Sequence, residues 1–137
     1  NSPNAHVLTI SPPLNMNPYW LGVHPAYTLS KYGMSLLTLG FSAEFAEAGI
    51  AANCLWPETF IATSAVAHMP DGDALLSSSR SPEIMADAAV AILSRSAKDA
   101  TGRCFIDADV LTESGVTDLS GYGGGDNPQW DLFLDKD

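Results

Sequence analysis

The stretch Ala26–Ser35, AYTLSKYGMS, sets a phenol and an ammonium four residues apart in a run with no other charge. On a helix, residues i and i+4 stand about 40° apart on one face, at about 100° per residue. Tyr27 and Lys31 would therefore point the same way. Two uses are open: a surface pair, or a pair held together for proton transfer. A free phenol titrates near pH ~10 and is a poor base at neutrality. A neighbouring ammonium favours the phenolate and lowers that value. Such a tyrosine could protonate a ketone oxygen as hydride arrives, or take the proton from an alcohol as hydride leaves. No side chain carries hydride, so that chemistry needs a cofactor.

The surrounding elements must place this pair. His6–Ser11, HVLTIS, is a short and almost wholly apolar run ended by Pro12-Pro13, and it predicts a strand buried on both faces. The Pro- and Asn-rich PPLNMNPYWLGVHP predicts loop. A long helix is expected from Pro25 to Ala48, capped by Gly49. IAANCLWP predicts a second strand, ended by Pro57. Residues 58–80 read as a lid, with TSAVAHM able to form a short helix. Ser81, Pro82 and Glu83 have the order of an N-cap, a first-position proline and a first-turn acid, so a helix follows through IMADAAVAILSR. GRCFIDA predicts a third strand, and residues 112–137 form a Gly-rich tail whose Trp130 and Phe133 are expected to anchor it to the domain, or to reach a neighbouring subunit.

Strand-helix-strand-helix-strand with connections of this length implies parallel strands joined by right-handed crossovers. This is an α/β class: half of a doubly wound, Rossmann-type sheet. It is expected to be the second half, with the N-terminal half missing, because HVLTIS is too apolar for an open edge. The chain is then one partial domain, 1–137, with an α/β core over 1–111, the lid at 58–80 and the tail at 112–137. Leu29, Gly33, Leu36, Leu37, Gly40 and Phe41 wrap much of the long helix. A helix apolar on most sides is expected to be covered on several of them. A homodimer or homotetramer through helix 25–48 is therefore expected.

Composition narrows the partners. With 137 residues, 46% hydrophobic and 16% charged, the chain suits one packed domain rather than a disordered segment. A net charge of −10 argues against nucleic acid and anionic membrane surfaces. No run is long and apolar enough for a membrane span. The first residues lack a signal-peptide pattern, and Cys54 and Cys104 read as buried thiols of a reducing, cytoplasmic compartment. His, Cys and acidic residues have no zinc-site spacing, so no metal is expected.

Taken in order, ISPPLNMNP, AYTLSKYGMS, LWPETFIAT, ADAAVAI and FLD resemble the active-site half of the short-chain dehydrogenase/reductase family, in its hydroxysteroid dehydrogenase-like branch. The resemblance implies an NAD(P)-dependent oxidoreductase acting on a carbonyl/alcohol pair. It implies Tyr27 as the proton donor or acceptor, with Lys31 lowering its pKa and binding the nicotinamide ribose. Ser11 would hold the substrate oxygen, although Pro12 stands where the second serine of a Ser-Ser pair is usual; Asn15 is the substitute. Pro57, Ile61 and Thr63 would contact the nicotinamide, with Glu58 in place of the usual glycine and one residue inserted. NAD or NADP is the implied cofactor. The family's phosphate loop lies outside this sequence, and GYGGGD at 121–126 is no replacement, so the chain by itself is expected to be inactive.

His24 could line a substrate pocket or, as a loop residue, point to water; the rings of Tyr19 and Trp20 could wall that pocket or pack against the long helix; and the small apolar residues of the lid imply a small, moderately hydrophobic carbonyl or alcohol. His68 reads as an exposed lid residue. A second reading is a non-catalytic assembly module that keeps the dimerising helix and sheet. An epimerase or dehydratase of the extended branch is disfavoured by the short stretch after the third strand.

Overall fold

The computed structural model describes residues 2–135. Its described residues fall into two compact units. The first takes the chain up to Trp56, Ile92–Phe105 and the stretch from Leu132; the second takes Pro57–Ala91 and Ile106–Asp131.

The first unit holds a three-stranded parallel sheet in the order β1 (Ala5–Ile10), β2 (Ile50–Trp56), β3 (Cys104–Ile106). β1 and β2 pair from Ala5↔Ile50 to Ile10↔Leu55. β2 is buried from Ala51 to Trp56, as a central parallel strand should be. β1 is not the doubly buried strand its composition predicts. Val7 is 37% and Ile10 46% exposed, because β1 has a neighbour on one side only among the described residues.

The Pro- and Asn-rich connection is not all loop. Asn17 accepts a hydrogen bond from the Tyr19 N–H at 3.0 Å, and Pro18 opens a short helix, α1 (Pro18–Val23). This is an N-cap followed by a first-position proline. The long helix, α2 (Pro25–Glu44), stops four residues before the expected end. Tighter turns carry the chain from Phe45 to Gly49, whose φ of +68° is the left-handed conformation that favours glycine.

The face of α2 turned inward is lined by hydroxyl groups. Thr28, Tyr32, Ser35 and Thr38 are buried, at helical spacing. Each hydroxyl has a partner. Tyr32 donates to the Asn15 carbonyl at 2.6 Å, Ser35 to the Pro12 carbonyl at 2.6 Å, and Thr38 to Thr9 Oγ1 at 2.7 Å. Thr28 donates to the Trp20 carbonyl at 3.3 Å. Satisfied donors of this kind can replace apolar packing without a desolvation penalty. The leucines face the other way: Leu29, Leu36 and Leu37 are exposed. Within this chain, the all-round burial expected of the helix is absent.

The second unit contains α3 (Ser64–Ala67), α4 (Gly72–Ser77), most of α5 (Glu83–Leu93) and α6 (Asp107–Glu113). The lid expected over 58–80 thus holds two short helices. Gly72 permits the tight bend before α4, where a Cβ would lie 2.4 Å from the Ala67 carbonyl oxygen. α6 is an element the sequence reading left out. Residues 112–131 of the Gly-rich tail are anchored within this unit. Thr59 bridges Trp130 and Arg80 bridges Gly123, both antiparallel. No helix among the described residues is long and apolar enough to cross a membrane.

Candidate active site

Tyr27 and Lys31 lie one turn apart near the N-terminus of α2. Lys31 Nζ sits 5.9 Å from the centre of the Tyr27 ring and 5.7 Å from that of Trp56. Both distances fall within cation–π range. Tyr27 is 42% exposed, so the pair is open rather than sealed by packing. Among the described residues no carboxylate is within ion-pair distance of Lys31 Nζ.

A group of aromatic rings backs this pair. Phe133 lies almost parallel to Tyr27, with centroids 6.2 Å apart and 12° between planes. It is tilted against Tyr32 at 5.1 Å, Trp56 at 5.9 Å and Trp20 at 6.0 Å. Two residues on, Asp135 accepts hydrogen bonds from Trp20 Nε1 at 2.8 Å, Asn15 Nδ2 at 2.9 Å and Asn17 Nδ2 at 3.3 Å. The Asn15 and Trp20 bonds head the causes that hold its carboxyl below the usual range. Burial pushes the Tyr32 phenol up. A shallow crevice beside these rings is lined by Trp20, Val23, His24, Thr28, Leu132 and Phe133. His24 and Trp20 thus share one surface depression, whereas Tyr19 is simply exposed.

Ser11 is placed differently from its expected role. Its N–H donates to the Leu55 carbonyl at 3.1 Å, extending the β1–β2 ladder one residue past Ile10. The residue is completely buried, and its Oγ makes no hydrogen bond of good geometry. The Cys104 thiol beside Cys54 draws the Cys54 thiol down. Both cysteines are free. Asn15 is also committed to structure, since its amide nitrogen bonds the Phe133 carbonyl at 3.0 Å as well as Asp135.

Pro57, Ile61 and Thr63 belong to the second unit, in a segment pinned on both sides. The Phe60 N–H donates to the Gln129 carbonyl at 2.8 Å, and the Arg80 N–H to the Phe60 carbonyl at 2.9 Å. Arg80 returns its carbonyl to the Ala62 N–H at 2.8 Å, and its guanidinium meets the Glu58 carboxylate at 2.8 Å. Asp107 Oδ1 accepts from the Glu58 N–H at 2.8 Å and the Ala108 N–H at 2.7 Å. Burial pushes the Asp107 carboxyl above the usual range. Pro57 is buried, Ile61 half-buried, and the Thr63 hydroxyl caps α3 by accepting from the Val66 N–H at 3.4 Å. His68 is exposed, its Nδ1 2.6 Å from the Ser64 carbonyl. Among the described residues no cluster of His, Cys, Asp and Glu could hold a metal.

Helical spacing sets Tyr27 and Lys31 on one helix face, and Phe133 anchors its segment as its aromatic character predicts; Arg80 and Asp107 were not legible as organising residues. An arginine amid serines was the available signal for Arg80.

Two solved structures share this architecture over nearly the whole chain. One is a protein assigned as a dehydrogenase from Xanthomonas campestris, 49% identical, with a TM-score of 0.92; the match covers 99% of this chain and 50% of that one. The other is a short chain dehydrogenase from Mycobacterium thermoresistibile, 45% identical, TM-score 0.87, covering 98% and 48%. The chain belongs to the short-chain dehydrogenase/reductase family, and its fold corresponds to about half of a family member. Among curated relatives it is similar to hydroxysteroid dehydrogenase-like protein 2 of Xenopus tropicalis, 48% identical over 134 residues. That match takes in 96% of this chain and 31% of the relative, so the chain spans about a third of the length of the curated relatives it matches. No family model matches.

Proposed function

We propose that this chain carries the proton-transfer residues of an NAD(P)-dependent oxidoreductase acting on a small, moderately hydrophobic carbonyl/alcohol pair. The observation that carries the proposal is the exposed Tyr27 ring with the Lys31 ammonium 5.9 Å from its centre. Family membership supports the same reading. Tyr27 donates its phenolic proton to the substrate oxygen in reduction and accepts it in oxidation. Lys31 favours the phenolate and offers its remaining N–H groups to the ribose hydroxyls of NAD or NADP. The nicotinamide, when bound, supplies or accepts the hydride. Pro57, Ile61 and Thr63 are the residues proposed to border its carboxamide.

The test is Tyr27→Phe. Turnover, followed by nicotinamide absorbance in the protein with its cofactor-binding half, should fall by about 10²–10⁴-fold while the KM for cofactor changes little. Unchanged turnover would remove Tyr27 from the chemistry.

The uncovered leucines of α2 favour a second reading, an assembly module that pairs with a second copy through this helix. Leu36→Glu together with Leu37→Glu should then shift the protein to a smaller species in sedimentation. An unchanged sedimentation coefficient would count against pairing there.

A further inference from the structure

We infer that Phe133 is a positioning residue for Tyr27, delivered by a C-terminal strap that locks the phenol beside Lys31; this rests on the catalytic reading of Tyr27. Four observations carry it. Phe133 is 2% exposed, so this segment is held in the interior. Its ring is stacked nearly parallel on Tyr27. Its φ of +70° is a conformation that bulky residues avoid, so contacts outside its own backbone hold it there. The strap is fastened at three residues: the Leu132 carbonyl accepts from Trp56 Nε1 at 3.0 Å, the Phe133 carbonyl from Asn15, and the Asp135 carboxylate from Trp20, Asn15 and Asn17.

Tyr27 projects from the first turn of α2, where a long side chain can choose between rotamers. Phe133 covers one face of its ring. Trp56, against Phe133, also lies under the Lys31 ammonium. One residue thus bears on both members of the pair, directly on the phenol and through Trp56 on the ammonium. Of the charged groups at this cluster, Lys31 belongs to α2 and Asp135 to the strap.

Phe133→Leu keeps apolar bulk and removes the ring face. The expected result is a fall in kcat of about ten- to a hundredfold with the KM for substrate within about twofold. Spectrophotometric titration without cofactor, differenced against a Tyr27→Phe background, should show the Tyr27 phenolate forming at higher pH than in the parent protein. An unchanged titration and an unchanged kcat, in a protein where Tyr27→Phe abolishes turnover, would overturn the inference. Should Tyr27→Phe leave turnover intact, the catalytic reading fails, and the titration still decides whether Phe133 holds the phenol. Phe133→Met is the second variant if the first does not fold. In the unsubstituted protein, Overhauser contacts between the Tyr27 and Phe133 ring protons must be present; their absence overturns the inference without any variant.

Discussion

The aromatic cluster of the first unit and the charged cluster of the second solve opposite problems. Around Phe133 the task is to fix a side chain that stays open to solvent, and the stacked ring braces Tyr27 with a neutral surface. Around Arg80 the task is to fix a stretch of backbone. There directional bonds serve: the Arg80–Glu58 ion pair, the Asp107 carboxylate on the Glu58 N–H, and ladder bonds on both edges of 58–62. Dispersion between rings is nearly indifferent to protonation, whereas charge-assisted bonds are strong only while the charges persist. An exposed ring can thus be held by neutral surfaces, and a loop by paired charges.

This contrast can be broken most severely at Lys31. Lys31→Met keeps the stem over Trp56 and removes the ammonium; kcat should drop by roughly 10²–10³-fold with little loss of thermal stability. A large loss of stability instead would mean the ammonium is structural. Arg80→Met tests the other cluster. It leaves Glu58 without its partner, and denaturant unfolding should report a loss of about 3 kcal/mol. A loss under about 0.5 kcal/mol would show that the ion pair is ornamental.

Asp107 sharpens the comparison through pH. Its folded carboxyl titrates above the ordinary carboxylate value because burial disfavours its charge. The folded state therefore holds that proton more tightly than the unfolded chain. The stability so gained is full below the ordinary carboxylate pKa and is lost as pH rises through the raised value. Asp107→Asn should flatten that slope in urea unfolding measured from acid to neutral pH, and an unchanged slope would assign it to other acids. The smallest effect is at Asn17, where Asn17→Ala removes the α1 cap and one Asp135 contact. It should cost about 1 kcal/mol in thermal or urea unfolding. A shift beyond about 3 kcal/mol would mean the strap depends on this residue far more than its 3.3 Å contact suggests.

What the sequence made legible was local. Tyr27 and Lys31 share a face because of helical spacing alone, and the strand-helix-strand order follows from short apolar runs ended by prolines. The Glu58–Arg80 pair joins residues 22 apart, and Asp107 reaches Glu58 across 49; no periodicity encodes such pairings. α1 escaped because Asn17-Pro18 reads equally as a turn or as a cap with its first helical residue. α6 escaped because Asp107 directly follows the last strand residue, leaving no loop to signal a change. The burial of Ser11 was hidden for a different reason. Whether a strand-end hydroxyl faces a cleft depends on how far the ladder runs, and here it runs one residue past Ile10.

The left-handed backbone at Phe133 has one more consequence. Such a conformation costs about 1–2 kcal/mol for a residue with a side chain, and that cost is relieved once the strap lifts away. The C-terminal end should accordingly peel off on warming before the sheet melts. Two indoles stand next to the departing ring, Trp20 at 6.0 Å and Trp56 at 5.9 Å, so the molecule contains its own optical reporter of the event. Intrinsic fluorescence should change at a lower temperature than far-ultraviolet circular dichroism.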